Sequence, residues 1–109
     1  MLTKEYIKDL KNNGNGAIGR LFKDYKDSSS LIFILENLGK LPKDFDGSFL
    51  PDLLGHKNPT VRLWTIKTIG KLGNEEYLPL LKQTALNDSD TNVRREACLL
   101  YTSPSPRDS

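Results

Sequence analysis

Arg62 and Arg94 are the polar positions that return most regularly in this chain. Each follows a valine, Val61 or Val93, and each sits just after a turn rich in Asn, Asp or Pro. Guanidinium groups at a fixed interval can form a ladder that captures phosphate or carboxylate. They can instead lie on the boundaries between neighbouring units and donate to turn carbonyls and carboxylates. Asp88 and Asp90 stand beside the second valine–arginine pair and favour the structural role.

Other candidates for chemistry are weaker. Gly14-Asn15-Gly16-Ala17-Ile18-Gly19 matches the G-x-G-x-x-G pattern that lets a pyrophosphate approach a helix N-terminus. That motif requires a β-strand before it, and Ile7 to Asn13 is polar and helix-like, so a glycine-rich turn is expected instead. His56, the only histidine, has no converging partners for acid–base work or metal binding, and its register places it in an exposed inter-repeat loop. Lys4, Lys8 and Lys11 form one basic stripe, and Lys67 and Lys71 a shorter one. Glu5 and Asp9 interleave the first, which favours a solvated helix face over phosphate tracking. Trp64 corresponds to Glu96 one repeat later and to Phe33 one repeat earlier. It is either a partner-binding anchor or a side chain packed on the larger loop of the preceding unit. No catalytic, cofactor or metal site is expected.

The elements that position these residues read as helices. Thr3 can cap a helix over Lys4–Lys11, with Tyr6, Ile7 and Leu10 on its apolar face. Ile18, Leu21, Phe22 and Tyr25 predict a second, Ala17–Tyr25. Ser28 to Ser30 offer caps for a third, Leu31–Leu41, which Pro42 and the following loop end. A short helix is expected over Ser48–Leu54. Asn58 as cap and Pro59 at the first helical position begin one that reaches Leu72 and stops at Gly73. Its partner spans Glu75–Leu86, and Thr91 begins the next.

Asn58-Pro59-Thr60-Val61-Arg62 returns thirty-two residues later as Asp90-Thr91-Asn92-Val93-Arg94, and Leu38-Gly39-Lys40-Leu41 prefigures Ile69-Gly70-Lys71-Leu72 at a spacing of thirty-one. A period of this size marks a helical solenoid, whose task is usually to present a surface. The acidic turn, Val-Arg, a small residue three further on, and the Ile69-Gly70-Lys71-Leu72-Gly73 ending resemble the short HEAT-like repeats common in bacteria. Tyr77-Leu78-Pro79-Leu80-Leu81 fits the second helix of that pattern. Thr65 stands where alanine is usual, His56 where Asp88 stands one repeat later, and Ser30 and Leu31 where valine and arginine belong. The resemblance implies an all-α fold, an α-solenoid of helix pairs over residues 1–97. Its repeats are clearest at 30–57 and 58–89, with another starting at 90.

Residues 98–109, CLLYTSPSPRDS, break from this pattern. Eleven of them, Cys98 to Asp108, resemble the in-frame translation of a transposon-type sequencing-library adaptor. The expectation is a non-native, disordered tail, a gene product cut within a repeat, and no cysteine in residues 1–97 for disulfide, thiolate or metal chemistry.

The chain has 109 residues, 28% charged, with 16 basic and 14 acidic side chains for a net charge of +2. That balance argues against nucleic acid as a partner. Leu31 to Leu35, the longest apolar run, is far short of the ~20 residues a membrane span requires. The N-terminus shows no secretory signal, so the cytoplasm is the expected location. The leading functional expectation is a non-catalytic scaffold that binds another protein. The alternatives are the N-terminal, non-catalytic part of a larger enzyme of DNA-modifying or tetrapyrrole-lyase type, or a groove that binds nucleic acid.

Overall fold

The structure is a computed structural model, and it describes residues 2–12, 17–39, 47–73 and 75–102. Every regular element among them is helical. The helices are α1 (Lys4–Asn12), α2 (Ala17–Asp24), α3 (Ser28–Glu36), α4 (Leu50–Leu53), α5 (Pro59–Leu72), α6 (Leu78–Asn87) and α7 (Thr91–Thr102). A 3-10 turn, Glu75–Tyr77, leads into α6. The chain measures 36 × 33 × 18 Å, and the short dimension is two helix layers deep.

Local chemistry sets the boundaries. The Tyr6 backbone N–H donates to Thr3 Oγ1 at 3.1 Å, so Thr3 caps α1. Asn58 Oδ1 accepts from the Thr60 N–H at 2.8 Å, with Pro59 in the first turn of α5. Gly73, at φ 62°, ends α5 in the left-handed conformation that a side chain resists.

α1, α2 and α6 end within one residue of the sequence reading and α4 is shorter, at Leu50–Leu53; the larger differences lie elsewhere. α3 begins at Ser28, because the Asp27 carboxylate accepts the Ser30 N–H at 3.0 Å and takes the cap from the serines. It stops at Glu36, not Leu41. The Asn37 backbone N–H and side-chain amide both turn back to the Phe33 carbonyl, and Gly39 follows at φ 61°. The stretch 75–86 is split, since Pro79 lacks an N–H and sits best in a first helical turn. The expected tail boundary at Ala97 is no structural boundary. α7 runs on through Cys98–Thr102, where disorder was expected, and Leu100 packs on the core. Residues 103–109, the Pro42 to Asp46 loop and Asn13 to Gly16 of the glycine motif lie outside the described residues.

One core joins the helices. Ile7, Ile18, Leu21, Leu31, Ile34, Leu35, Leu38, Leu50, Val61, Ile66, Ile69, Leu81, Val93 and Ala97 are all buried in it. Phe22 and Phe49 stack at 4.3 Å, tying α2 to the turn before α4. α5 packs between α3 and α7, and α7 also packs along α6. Four of the six buried positions of α5 recur thirty-one residues upstream: Leu31, Ile34, Leu35 and Leu38 match Arg62, Thr65, Ile66 and Ile69. The repeat therefore holds in packing even where the residue types have diverged.

Candidate functional site: the arginine positions and the turn before α7

Arg62 lies in the second turn of α5 and is 9% exposed. Its Nε donates to Asp88 Oδ2 at 2.9 Å and its Nη2 to Asp88 Oδ1 at 3.2 Å. Its Nη1 donates to the His56 carbonyl at 2.7 Å, and Ser89 Oγ lies 3.5 Å from Nη2. The carboxylate is as buried as the guanidinium, so each charge depends on the other.

Asp88 has a second task. Its Oδ1 also accepts the Asp90 backbone N–H at 2.9 Å, which shapes the turn that starts α7. Asp90 then caps that helix, its Oδ1 accepting from the Asn92 and Val93 N–H groups. His56 does the same thing one repeat earlier. Its Nδ1 accepts the Asn58 N–H at 3.0 Å, two residues on, just as Asp88 serves Asp90. The histidine is half-buried and bonded, not an exposed loop residue. An imidazole nitrogen and a carboxylate oxygen are both acceptors at the right reach, a signal the residue types conceal.

Arg94 repeats part of the pattern. Its Nη1 donates to the Asp88 carbonyl at 2.7 Å, six residues back, as Arg62 does to His56. Its Nη2 donates to Thr91 Oγ1 at 3.2 Å. Val61 and Val93, the neighbours of the two arginines, are fully buried.

Trp64 is half-buried against the core, with the Lys67 ammonium 5.6 Å from its ring centroid. Lys67 also approaches Glu96 at 3.8 Å, so the equivalent positions 64 and 96 share one cation. That pair is partly exposed and contributes little to stability. The loop expected to cover Trp64 lies largely outside the described residues. Of the lysine stripes, Lys4 and Lys8 are exposed, Lys11 Nζ donates to the Leu38 carbonyl at 2.8 Å and Lys71 Nζ to the Gly39 carbonyl at 3.4 Å.

The helix α1 occupies the place where the dinucleotide motif would require a strand. Among the described residues no three His, Cys, Asp or Glu side chains converge as metal ligands, and no helix is long and apolar enough to cross a membrane. A shallow cleft of about 300 Å³ opens between the C-terminal end of α4 and the flank of α6. Leu54, Gly55, Leu80, Gln83 and Thr84 line it, and Asp88 closes one end.

No curated protein and no solved structure matches the chain. The family model described as HEAT repeats matches residues 26–101, from the turn before α3 almost to the end of α7. HEAT repeats are commonly protein-interaction scaffolds and generally non-catalytic. By that match, and by helix pairs that keep one pattern of burial, the chain belongs to the HEAT-repeat family.

Proposed function

We propose that the chain is a non-catalytic scaffold that binds another protein in the cytoplasm. The observation that supports this best is the fate of Arg62. Its guanidinium, about nine-tenths buried, donates to the Asp88 carboxylate, the His56 carbonyl and the Ser89 hydroxyl of its own chain. In this reading Val61, Arg62, Val93 and Arg94 are a structural ladder. Trp64 is a packing residue, held against the core beneath Lys67. The recognition surface is the cleft between α4 and α6. Leucines on its walls give apolar contact, while Gln83 and Thr84 supply polar groups for a peptide backbone.

The test is affinity capture with the intact chain, followed by the variants Gln83→Arg and Asn87→Arg, both at exposed positions that line the cleft. A partner held by the parent protein should be lost from both variants while their melting temperatures stay close to the parent's. A partner retained by both would remove the cleft from the proposal. Binding to duplex DNA that weakens steeply with salt would replace the protein reading altogether.

The same proposal treats residues 98–109 as adaptor-derived and the gene product as continuing beyond Ala97 in a different sequence. Amplification of the locus without transposon adaptors tests it. A native reading frame that encodes CLLYTSPSPRDS would end that idea.

A further inference from the structure

His56 ties the turn between α4 and α5 in three ways. Its backbone N–H donates to the Leu53 carbonyl at 3.0 Å, and its carbonyl accepts from Arg62 Nη1 at 2.7 Å. Its Nδ1 accepts the Asn58 N–H at 3.0 Å. Only this last bond depends on protonation. A neutral imidazole has one bare ring nitrogen with which to accept, whereas an imidazolium carries N–H on both. Protonated, Nδ1 would meet the Asn58 N–H donor to donor.

One repeat later a carboxylate does the same work. Asp88 Oδ1 accepts the Asp90 N–H at 2.9 Å. A carboxylate keeps its acceptor charge down to about pH 4, and an ordinary imidazole takes its second proton at about pH 6.5. The two turns share one bond and differ in their response to mild acid.

The charges on the surrounding elements do not favour an imidazolium. Lys57 is next in the chain, and the Arg62 cation of α5 already sits on the His56 carbonyl. Asp88 is closed on Arg62 by two hydrogen bonds, and Asp90 caps α7. Asp52 of α4 is exposed, where solvent and salt screen it. α6 meets Leu54 and Gly55 with uncharged side chains.

We propose that the α4–α5 turn is a pH-sensitive device: protonation of His56 releases the Asn58 N–H and loosens the turn, while the turn at Asp88 stays closed. Leu54 and Gly55, just before His56, line the cleft between α4 and α6, so the release reaches that wall. The device belongs to the turn itself and holds whether or not the cleft binds a partner. The folded turn accepts only the neutral ring, whereas the unfolded chain accepts either form. Its contribution to stability is therefore present above the imidazole range and fades as pH falls through it.

The test uses the full chain at about pH 8 and about pH 5, on either side of the imidazole range. Amide hydrogen exchange, corrected for the intrinsic effect of pH, should show Asn58 losing about fivefold in protection at the lower pH, the worth of one hydrogen bond. The Asp90 amide should keep its protection and so serves as the internal control. Across the same interval the parent melting temperature should fall about 4–8 °C further than that of His56→Asn, whose amide oxygen accepts at both values. His56→Leu, with no acceptor at either pH, should match the parent's acid state at both. Two results overturn the proposal: a gap between parent and His56→Asn that does not change with pH, or Asn58 and Asp90 losing protection together, which would make the acid response global.

Discussion

Arg62 and Asp88 are twenty-six residues apart in sequence and closed by two hydrogen bonds in space, at 2.9 and 3.2 Å. The pair joins α5 to the turn that begins α7. Both side chains are about nine-tenths buried, so removing either strands the other away from water. Arg62→Ala and Asp88→Ala should each destabilise the fold by about 3 kcal/mol in urea unfolding. The double variant should lose much less than the sum, because the stranded charge disappears with its partner. Strictly additive losses would show that the two residues are not coupled.

His56 holds its turn through one acceptor, Nδ1, on the Asn58 N–H. Asparagine carries an acceptor of similar reach, as Asp88 shows in the following repeat. His56→Asn should therefore leave the melting temperature nearly unchanged. His56→Leu leaves the N–H without that partner and should cost about 1 kcal/mol. Equal losses in the two variants would mean that the imidazole acts by packing.

Gly70 allows α7 to lie close on α5. A Cβ at this position would stand 2.7 and 2.9 Å from the two methyl carbons of Leu100. Two effects compete in Gly70→Ala. Helix propensity favours alanine by about 1 kcal/mol, while overpacking opposes it by about 1–3 kcal/mol. Net destabilisation is expected. In a Leu100→Ala background the clash is gone, and the same substitution should stabilise. Thermal melts of the four proteins would show the change of sign, and its absence would mean that Leu100 swings aside without penalty.

Asp27 caps α3, and the Ser30 backbone N–H, helped by the Ser30 side chain, holds its carboxyl below the ordinary carboxylate value. A lowered folded-state value stabilises the fold above the unfolded carboxylate range, and that contribution fades as pH falls through the folded value. Carbon-detected titration should find the Asp27 midpoint below those of uncapped carboxylates. Ser30→Pro, which removes the N–H, should move that midpoint up. An Asp27 midpoint at the ordinary value would contradict the cap.

The period, the caps of α1, α5 and α7 and most helix spans could be read directly from the sequence. Asn58-Pro59 and Gly73 marked both ends of α5, because capping is a local matter of a few residues. The end of α3 was hidden, since an unbroken apolar pattern continues past the point where Asn37 turns the chain. The arginine positions were visible as a repeat, but the route from Arg62 to Asp88 belongs to packing between units. His56 misled by type. It was expected as an exposed loop residue, whereas it is half-buried and its Nδ1 serves as a turn acceptor. Leu100 was set aside with an aberrant tail, yet it meets Gly70 across the α5–α7 contact.

Because Asp88 ties down both its own turn and the preceding helix, the two events are mechanically one. Under a pulling force on the C-terminal end of α7, the load reaches the Arg62–Asp88 bond early. Once that bond opens, Asp88 still accepts the Asp90 N–H two residues on, and α7 should come away as one piece with its turn attached, without fraying residue by residue. The carboxylate thus works as a latch, and it sets the size of the smallest part of this array that can open alone.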